Sequence, residues 1–399
     1  MKKTLSTIFG LATLSLVTLT TSCSNDDNKN DGPKSDFVVV RENLQGEINS
    51  GEVVLESGTY KLTGKLVVKN TAKLTIKPGV IIEATELGAN QFEAVRYIAV
   101  AQGGKIDVQG TATNPVVMTA TVKKPQAWGG LVICGKAPIN KNIGSTATAE
   151  VSELAYGGTD ANDNSGSIKY LRVEYPGYSY NSDKEFNGVS FFGVGKGTVV
   201  DYVQVFESSD DGFEWFGGTV DAKHLVVSNK DAALVGDDLF DWTEGWNGNG
   251  ENWYGIRTNP GNRGIEADNN SNNHLAAPIS FPNIKNLTLV GTTASTNGES
   301  QGMKLRVGTK GKFDNVVLKG WSTGFDVQHN ESISYVGTDL LATNVKFEDV
   351  AVKSKGTATT PVTGVVPDVS KVYTENANAT GAGNGSGVPN WALGWTKGL

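Results

Sequence analysis

The chain has 399 residues, a formal charge of −7, 49 glycines and only 19% charged residues. That length allows a large core, and the glycine content points to frequent turns and away from a helical bundle. An acidic balance with no basic run excludes the electrostatic footprint of a nucleic-acid binder.

The first segment is a processing signal. Lys2 and Lys3 precede a short apolar run from Leu5 to Leu19. Such a run is too short for a comfortable membrane span and predicts a signal peptide over 1–22. Cys23 follows directly, in Thr21-Ser22-Cys23, and Ser24-Asn25-Asp26-Asp27 comes next. This resembles a bacterial lipoprotein lipobox, with Thr20 where that motif usually carries leucine. The acids after the cysteine resemble the surface-export signal of Bacteroidetes lipoproteins. The resemblance implies lipidation at Cys23, a flexible lipid-anchored tether over 23–36, and a place on the cell surface at the outer membrane. Acylation of Cys23 leaves Cys134 without a disulfide partner. Cys134 lies in the apolar run LVICG and is expected as a buried structural thiol.

From residue 37 the pattern is β, until Lys353 to Pro389, which is poor in large apolar residues and reads as loops with a loose strand or two. Short runs such as KLTGKLVVKN, AKLTIKPGVIIEA and NPVVMTA alternate β-branched with polar residues and end on Gly, Asn or Pro. LTIKPG, GGKIDVQGTATNPVVMTA and WGGLVICG resemble the opening coils of right-handed parallel β-helix proteins. From Gly166 to Glu348 two strand series alternate. One includes GSIKYLRVEY, GTVVDYVQVF, GTVDAKHLVV and NIKNLTLV; the other reads GVSFFG, GFEWFG, LFDWTE, GIEADN, GMKLRV and GFDVQH. Recurrence of this kind predicts a solenoid of stacked β-coils, all-β and a single domain over 37–399. One interval is longer than the rest, which places an insertion around Asn270 to Pro282. The terminal NWALGWTKGL carries Trp391 and Trp395, expected to cap the open end of the stack.

Period 2 sorts the second series by face. Pairs such as Phe213/Trp215, Phe240/Trp242 and Met303/Leu305 point inward. Ser190, Glu214, Asp241, Glu266, Lys304 and Asp326 point outward and stack, with Asp268 and Arg306 two residues on from Glu266 and Lys304. The phrases DDGFEW and DDLFDW, 27 residues apart, add Asp210, Asp211, Asp237 and Asp238 in the preceding turns. Stacked like charges repel and need compensation. Ca²⁺ is the natural cation for Asp210, Asp211, Glu214, Asp237, Asp238, Asp241, Glu266 and Asp268, since it takes 6–8 oxygen ligands in flexible geometry. Aspartates that bond their own turn backbone are the other reading. Trp246, Trp253 and Tyr254 fall in a Gly/Asn-rich stretch, where stacking on a sugar and packing within the loop are both open. The histidines form no site on their own by spacing.

SSDDGFEWFGGTVDAKHLVV, GDDLFDWTEGW and the terminal GWTKGL resemble surface lipoproteins of Bacteroidetes and other Gram-negative bacteria with a pectate-lyase-like parallel β-helix. Parallel β-helix proteins include pectate lyases, in which Ca²⁺ offsets a uronate charge and Lys or Arg abstracts the neighbouring proton. Lys304 and Arg306 are the residues in place for that role; charge pairing across the ladder is their plainer use. Three functions stand. The first is an outer-membrane lipoprotein that binds a glycan or other ligand, with Ca²⁺, and delivers it to an outer-membrane transporter. The second is a calcium-dependent polysaccharide lyase or other glycan-active enzyme. The third is a structural or adhesive surface solenoid.

Overall fold

Alternating apolar and polar residues become 24 strands of one sheet in the computed structural model. The structure describes residues 35–88, 95–142, 144–181, 184–231, 236–294 and 298–399. The expected signal peptide over 1–22, the lipidation site Cys23 and most of the tether over 23–36 lie outside the described residues. Among the described residues no helix is long and apolar enough to cross a membrane.

Every strand pairing in the large sheet is parallel, and each strand pairs with the equivalent strand one coil away. The chain is therefore a right-handed parallel β-helix, the hand that parallel crossovers take. Short strands form one stack: Val189–Phe192, Phe213–Phe216, Phe240–Thr243, Ile265–Ala267, Gln301–Leu305 and Thr323–Gln328. Longer strands form the rest, among them Gly166–Glu174, Val199–Phe206, Ala222–Asn229, Asn249–Arg257, Asn283–Val290, Gly311–Lys319 and Leu340–Glu348. The expected insertion is present as the irregular connection between Ile265–Ala267 and Asn283–Val290.

Each long strand bends at one residue in the left-handed region. These are Tyr170, Tyr202, His224, Asn252, Asn286, Asn315 and Asn344, with φ between 48° and 60°. Asparagine visits this region more readily than other non-glycine residues. Its amide also ties coil to coil. Asn286 Nδ2 donates to Asn252 Oδ1 at 2.9 Å, and Asn315 Nδ2 to Asn286 Oδ1 at 2.8 Å. Asn252 Nδ2 donates to His224 Nε2 at 3.0 Å, which leaves the His224 Nδ1 proton for Asp201 at 2.7 Å. Where tyrosine and histidine occupy the bend, stacked rings replace the amide ladder. Tyr170 and Tyr202 lie 4.3 Å apart, and Tyr202 and His224 4.1 Å.

The interior is aliphatic toward the N-terminal coils and aromatic in the middle. Trp215 stacks on Trp246 at 4.7 Å and on Trp253 at 5.0 Å, and Phe240 meets Trp253 at 4.9 Å. This corrects the expectation of a ring platform: Trp246 and Trp253 are fully buried, and Tyr254 is 1% exposed. Trp253 pairs in register between Leu225 and Leu287, both inward positions. Its indole donates to Ala222 O, and that of Trp246 to Val220 O, so neither buried N–H is left open. Cys134 is buried as expected, and burial pushes its thiol up to about 12.

The C-terminal segment is a second correction. It does not cap an open end. It runs back across the flank formed by the bends of the long strands. Trp395 packs edge-on against Tyr170 and Tyr202, and Ala382, Ala392 and Trp395 cover Val226 and Tyr254. Outward apolar residues on that flank needed a cover, and the aromatic C-terminus supplies it.

Candidate cation and ligand site

The outward ladder read from the sequence is realised residue for residue. Ser190 pairs with Glu214, Glu214 with Asp241, Asp241 with Glu266, Glu266 with Lys304, and Lys304 with Asp326. Toward the N-terminus the same row continues through Val132, Ala99 and Val67. There the face is apolar and covered. A second buried cluster, built on residues of the segment Ile139–Tyr156, packs over Val67, Ala99 and Val132. Sequence parity thus sets where the face is roofed and where it is open to polar chemistry.

The Asp-Asp turns stack beside this row. Asp211 Oδ1 accepts the backbone N–H of Asp238 at 2.8 Å, and Asp238 Oδ1 accepts that of Arg263 at 2.7 Å. The turn-forming reading of these aspartates is therefore realised in part: each uses one oxygen on the next coil. The remaining oxygens converge. In Asp210/Asp211/Asp237, in Asp211/Glu214/Asp241 and in Asp238/Asp241/Glu266, one carboxylate oxygen of each member lies within 4.8 Å of the others. Asp211 and Asp241 are each shared by two groups, so the three form one continuous row.

Cations divide that row unequally. Arg263 reaches Asp238 at 2.9 Å, Glu266 at 3.0 Å and Glu299 at 3.2 Å. Arg306 holds Glu266 at 2.8 Å and Asp268 at 2.7 Å, and Lys304 sits 3.1 Å from both oxygens of Glu299. These pairs neutralise the end of the row at Asp238, Glu266 and Asp268. Among the described residues no basic side chain makes an ion pair with Asp210, Asp211, Glu214 or Asp241. Asp237 has only Arg263, at 3.8 Å. Glu214 accepts a hydrogen bond from Asn187 Nδ2 at 2.5 Å. Asp241 Oδ1 is buried with no hydrogen-bond partner.

Burial raises carboxylates at both ends of the row. Burial, then the neighbouring carboxylates, holds Asp210, Asp211, Glu214 and Asp241 well above the usual carboxylate range. Burial and Asp238 push Asp237 up to about 6 and Glu266 up to about 8. Burial also raises Asp268, against the pull of Arg306. A row of oxygen-only ligands short of positive charge matches a hard divalent cation at Asp211, Glu214 and Asp241, with Asp210 and Asp237 beside them. The Arg-bound end does not.

Several residues of the site gave no local signal in the sequence. Glu299 stands in a turn that follows the insertion before Asn283. Asn187, Gln301 and Arg263 occupy the same turn position as Asp211 and Asp238, which aligning the turns as well as the strands would have revealed. His274 and His329 come together at 4.8 Å, with His274 Nδ1 2.9 Å from Glu331. Sequence spacing could not pair them, because the insertion carries one and the turn two coils on the other. One side of the face is walled by Lys136–Ser165, pinned by Asn140 Nδ2 to Asn269 Oδ1 at 2.7 Å and by Tyr156 Oη to Glu244 at 2.6 Å.

A family model described as a pectate-lyase like beta helix domain matches residues 46–396. No curated protein matches. Among solved structures, the Dettilon tailspike protein is similar at 12% identity with a TM-score of 0.24; the match covers 78% of this chain and 62% of the tailspike chain. This chain thus spans less than two thirds of that protein's length.

Proposed function

Because this chain belongs to the family of pectate-lyase-like β-helix domains, we propose that it is a glycan-binding surface protein that holds Ca²⁺ on its outward carboxylate row. The observation that carries the reading is the unequal charge balance. Arg263, Lys304 and Arg306 satisfy one end of the row and leave Asp210, Asp211, Glu214 and Asp241 without a cationic partner among the described residues. Ca²⁺ there would neutralise the carboxylates and leave coordination positions for sugar hydroxyls or a sugar carboxylate. The sequence adds lipidation at Cys23, export to the outer surface and handover of the ligand to an outer-membrane transporter.

Binding is favoured over lyase chemistry by the state of the two candidate bases. Lys304 is 6% exposed and held by Glu299; Arg306 is engaged by two carboxylates. A proton-abstracting base needs a free lone pair at the substrate, and both groups are committed as charged partners. The test has two parts. Ca²⁺ should raise the melting temperature of EDTA-treated protein, and Asp211→Asn with Asp241→Asn should remove that rise. A glycan array should show binding with Ca²⁺ that EDTA abolishes. A melting curve indifferent to Ca²⁺ counts against the cation, and a blank array in both conditions counts against glycan.

A further inference from the structure

The geometry points to a second ligand pocket on the same face, beyond the Glu214 end of the carboxylate row, that takes a neutral pyranose ring. This rests on the reading that the face receives glycan, but it requires no cation. A cavity of about 400 Å³ lies there, within the size range of small-molecule sites. Its walls are the two departures from the parallel plan: the antiparallel pairs Ala147–Thr148 with Ala155–Tyr156, and Ser179–Asn181 with Lys184–Glu185. The first frames the loop bearing Glu150, Ser152 and Glu153; the second carries Tyr180 and Lys184. Lys65 and Tyr97 come from the coils beneath.

The lining is chemically specific. Tyr180 is 49% exposed at a hairpin, yet its ring is steadied by Tyr178 at 5.3 Å and Phe186 at 5.9 Å. An aromatic ring held open in this way suits the apolar C–H face of a sugar. Ser152 is 8% exposed and lines the cavity, with the buried Cys134 thiol beside its hydroxyl. Lys65, Lys184, Glu150 and Glu153 make no ion pair among the described residues. Two ammonium donors and two carboxylate acceptors facing one space match the donor–acceptor alternation of vicinal hydroxyls. An anionic sugar would meet Glu150 and Glu153, and a cationic one Lys65 and Lys184; a neutral ring meets neither conflict.

Saturation-transfer NMR with the methyl glycosides of glucose, galactose and mannose, recorded in EDTA, tests the pocket. Transfer to the ring protons of at least one glycoside is expected. Tyr180→Ala should weaken its affinity about tenfold, the size of one aromatic contact. The same variant should keep the Ca²⁺-induced rise in melting temperature, which shows that it folds. Transfer that is absent for all three, or equal in Tyr180→Ala and Ser152→Val, overturns the pocket. If transfer is normal and the Ca²⁺ response is missing, the pocket stands and only the cation reading falls.

Discussion

Asp241 shows how much the site depends on single atoms. It stands between Glu214 and Glu266 in the row, and one of its oxygens is buried without a donor. Coulomb repulsion inside a protein is screened poorly, so such a group takes up a proton or a cation. Proton uptake has a definite sign. Asp237 and Glu266 titrate near 6 and 8 in the fold, against 3.8 and 4.5 when unperturbed. Between roughly pH 4.5 and 8 the folded state therefore binds more protons than the unfolded one, and stability falls as pH rises through the window. In EDTA the melting temperature should drop from about pH 5 to about pH 8, and Ca²⁺ should reduce the slope by replacing the protons at Asp237 and its neighbours, while the share of the Arg-bound Glu266 persists. A slope that is flat or positive in EDTA would show that these carboxylates are not as strained as their surroundings require.

Among the elements, the bend of the long strand is the repeating joint. Asn286 adopts φ 60°, donates to Asn252 and accepts from Asn315. Alanine there loses both bonds and is disfavoured in the left-handed region by about 1–2 kcal/mol. With a net of about 1 kcal/mol for each of the two hydrogen bonds, Asn286→Ala should lower stability by about 3–4 kcal/mol in urea unfolding. Asn286→Gly keeps the bend and should lose less; equal losses would place the whole effect in the hydrogen bonds. Strand stacking of this kind was legible in the chain. Period 2 gave Glu214, Asp241, Glu266 and Lys304 one face, and the recurrence of their phrases stacked them. The choice between packing and sugar stacking for the tryptophans stayed open because Gly248, Gly250 and Asn252 around Trp253 looked like a loop. In fact Gly250 and Asn252 belong to the strand Asn249–Arg257, whose small residues leave room for the indole: a Cβ on Gly250 would lie 2.8 Å from Trp253. Arg263 was hidden because its partners are set by turn register, and Tyr180 because a hairpin pocket depends on contacts between segments far apart in sequence.

At the scale of the molecule, the flank and its C-terminal cover decide what solvent sees. Trp395 is 1% exposed, and its backbone carbonyl accepts from Arg172 at 3.3 Å. Two residues on, Lys397 exchanges backbone hydrogen bonds with the side chain of Gln204 at 2.7 and 2.8 Å and reaches Glu174 at 2.9 Å. Trp395→Ala removes a fully packed ring and should destabilise by about 3–5 kcal/mol in guanidinium unfolding. It should also speed proteolysis within 380–399; unchanged cleavage would mean that the segment is held by its polar contacts alone. The same clasp alters how the protein comes apart and how it forms. Coils that touch only their neighbours can fray from either end, one at a time. Gln204 and Lys397 lie 193 residues apart in the chain, and Thr288 meets Gly385 across a separation of 97. Links of that span turn independent rungs into one cooperative unit and raise contact order, which slows folding. Loss of the final few residues would be felt first by the coils around Tyr170 and Tyr202, on the opposite half of the sequence.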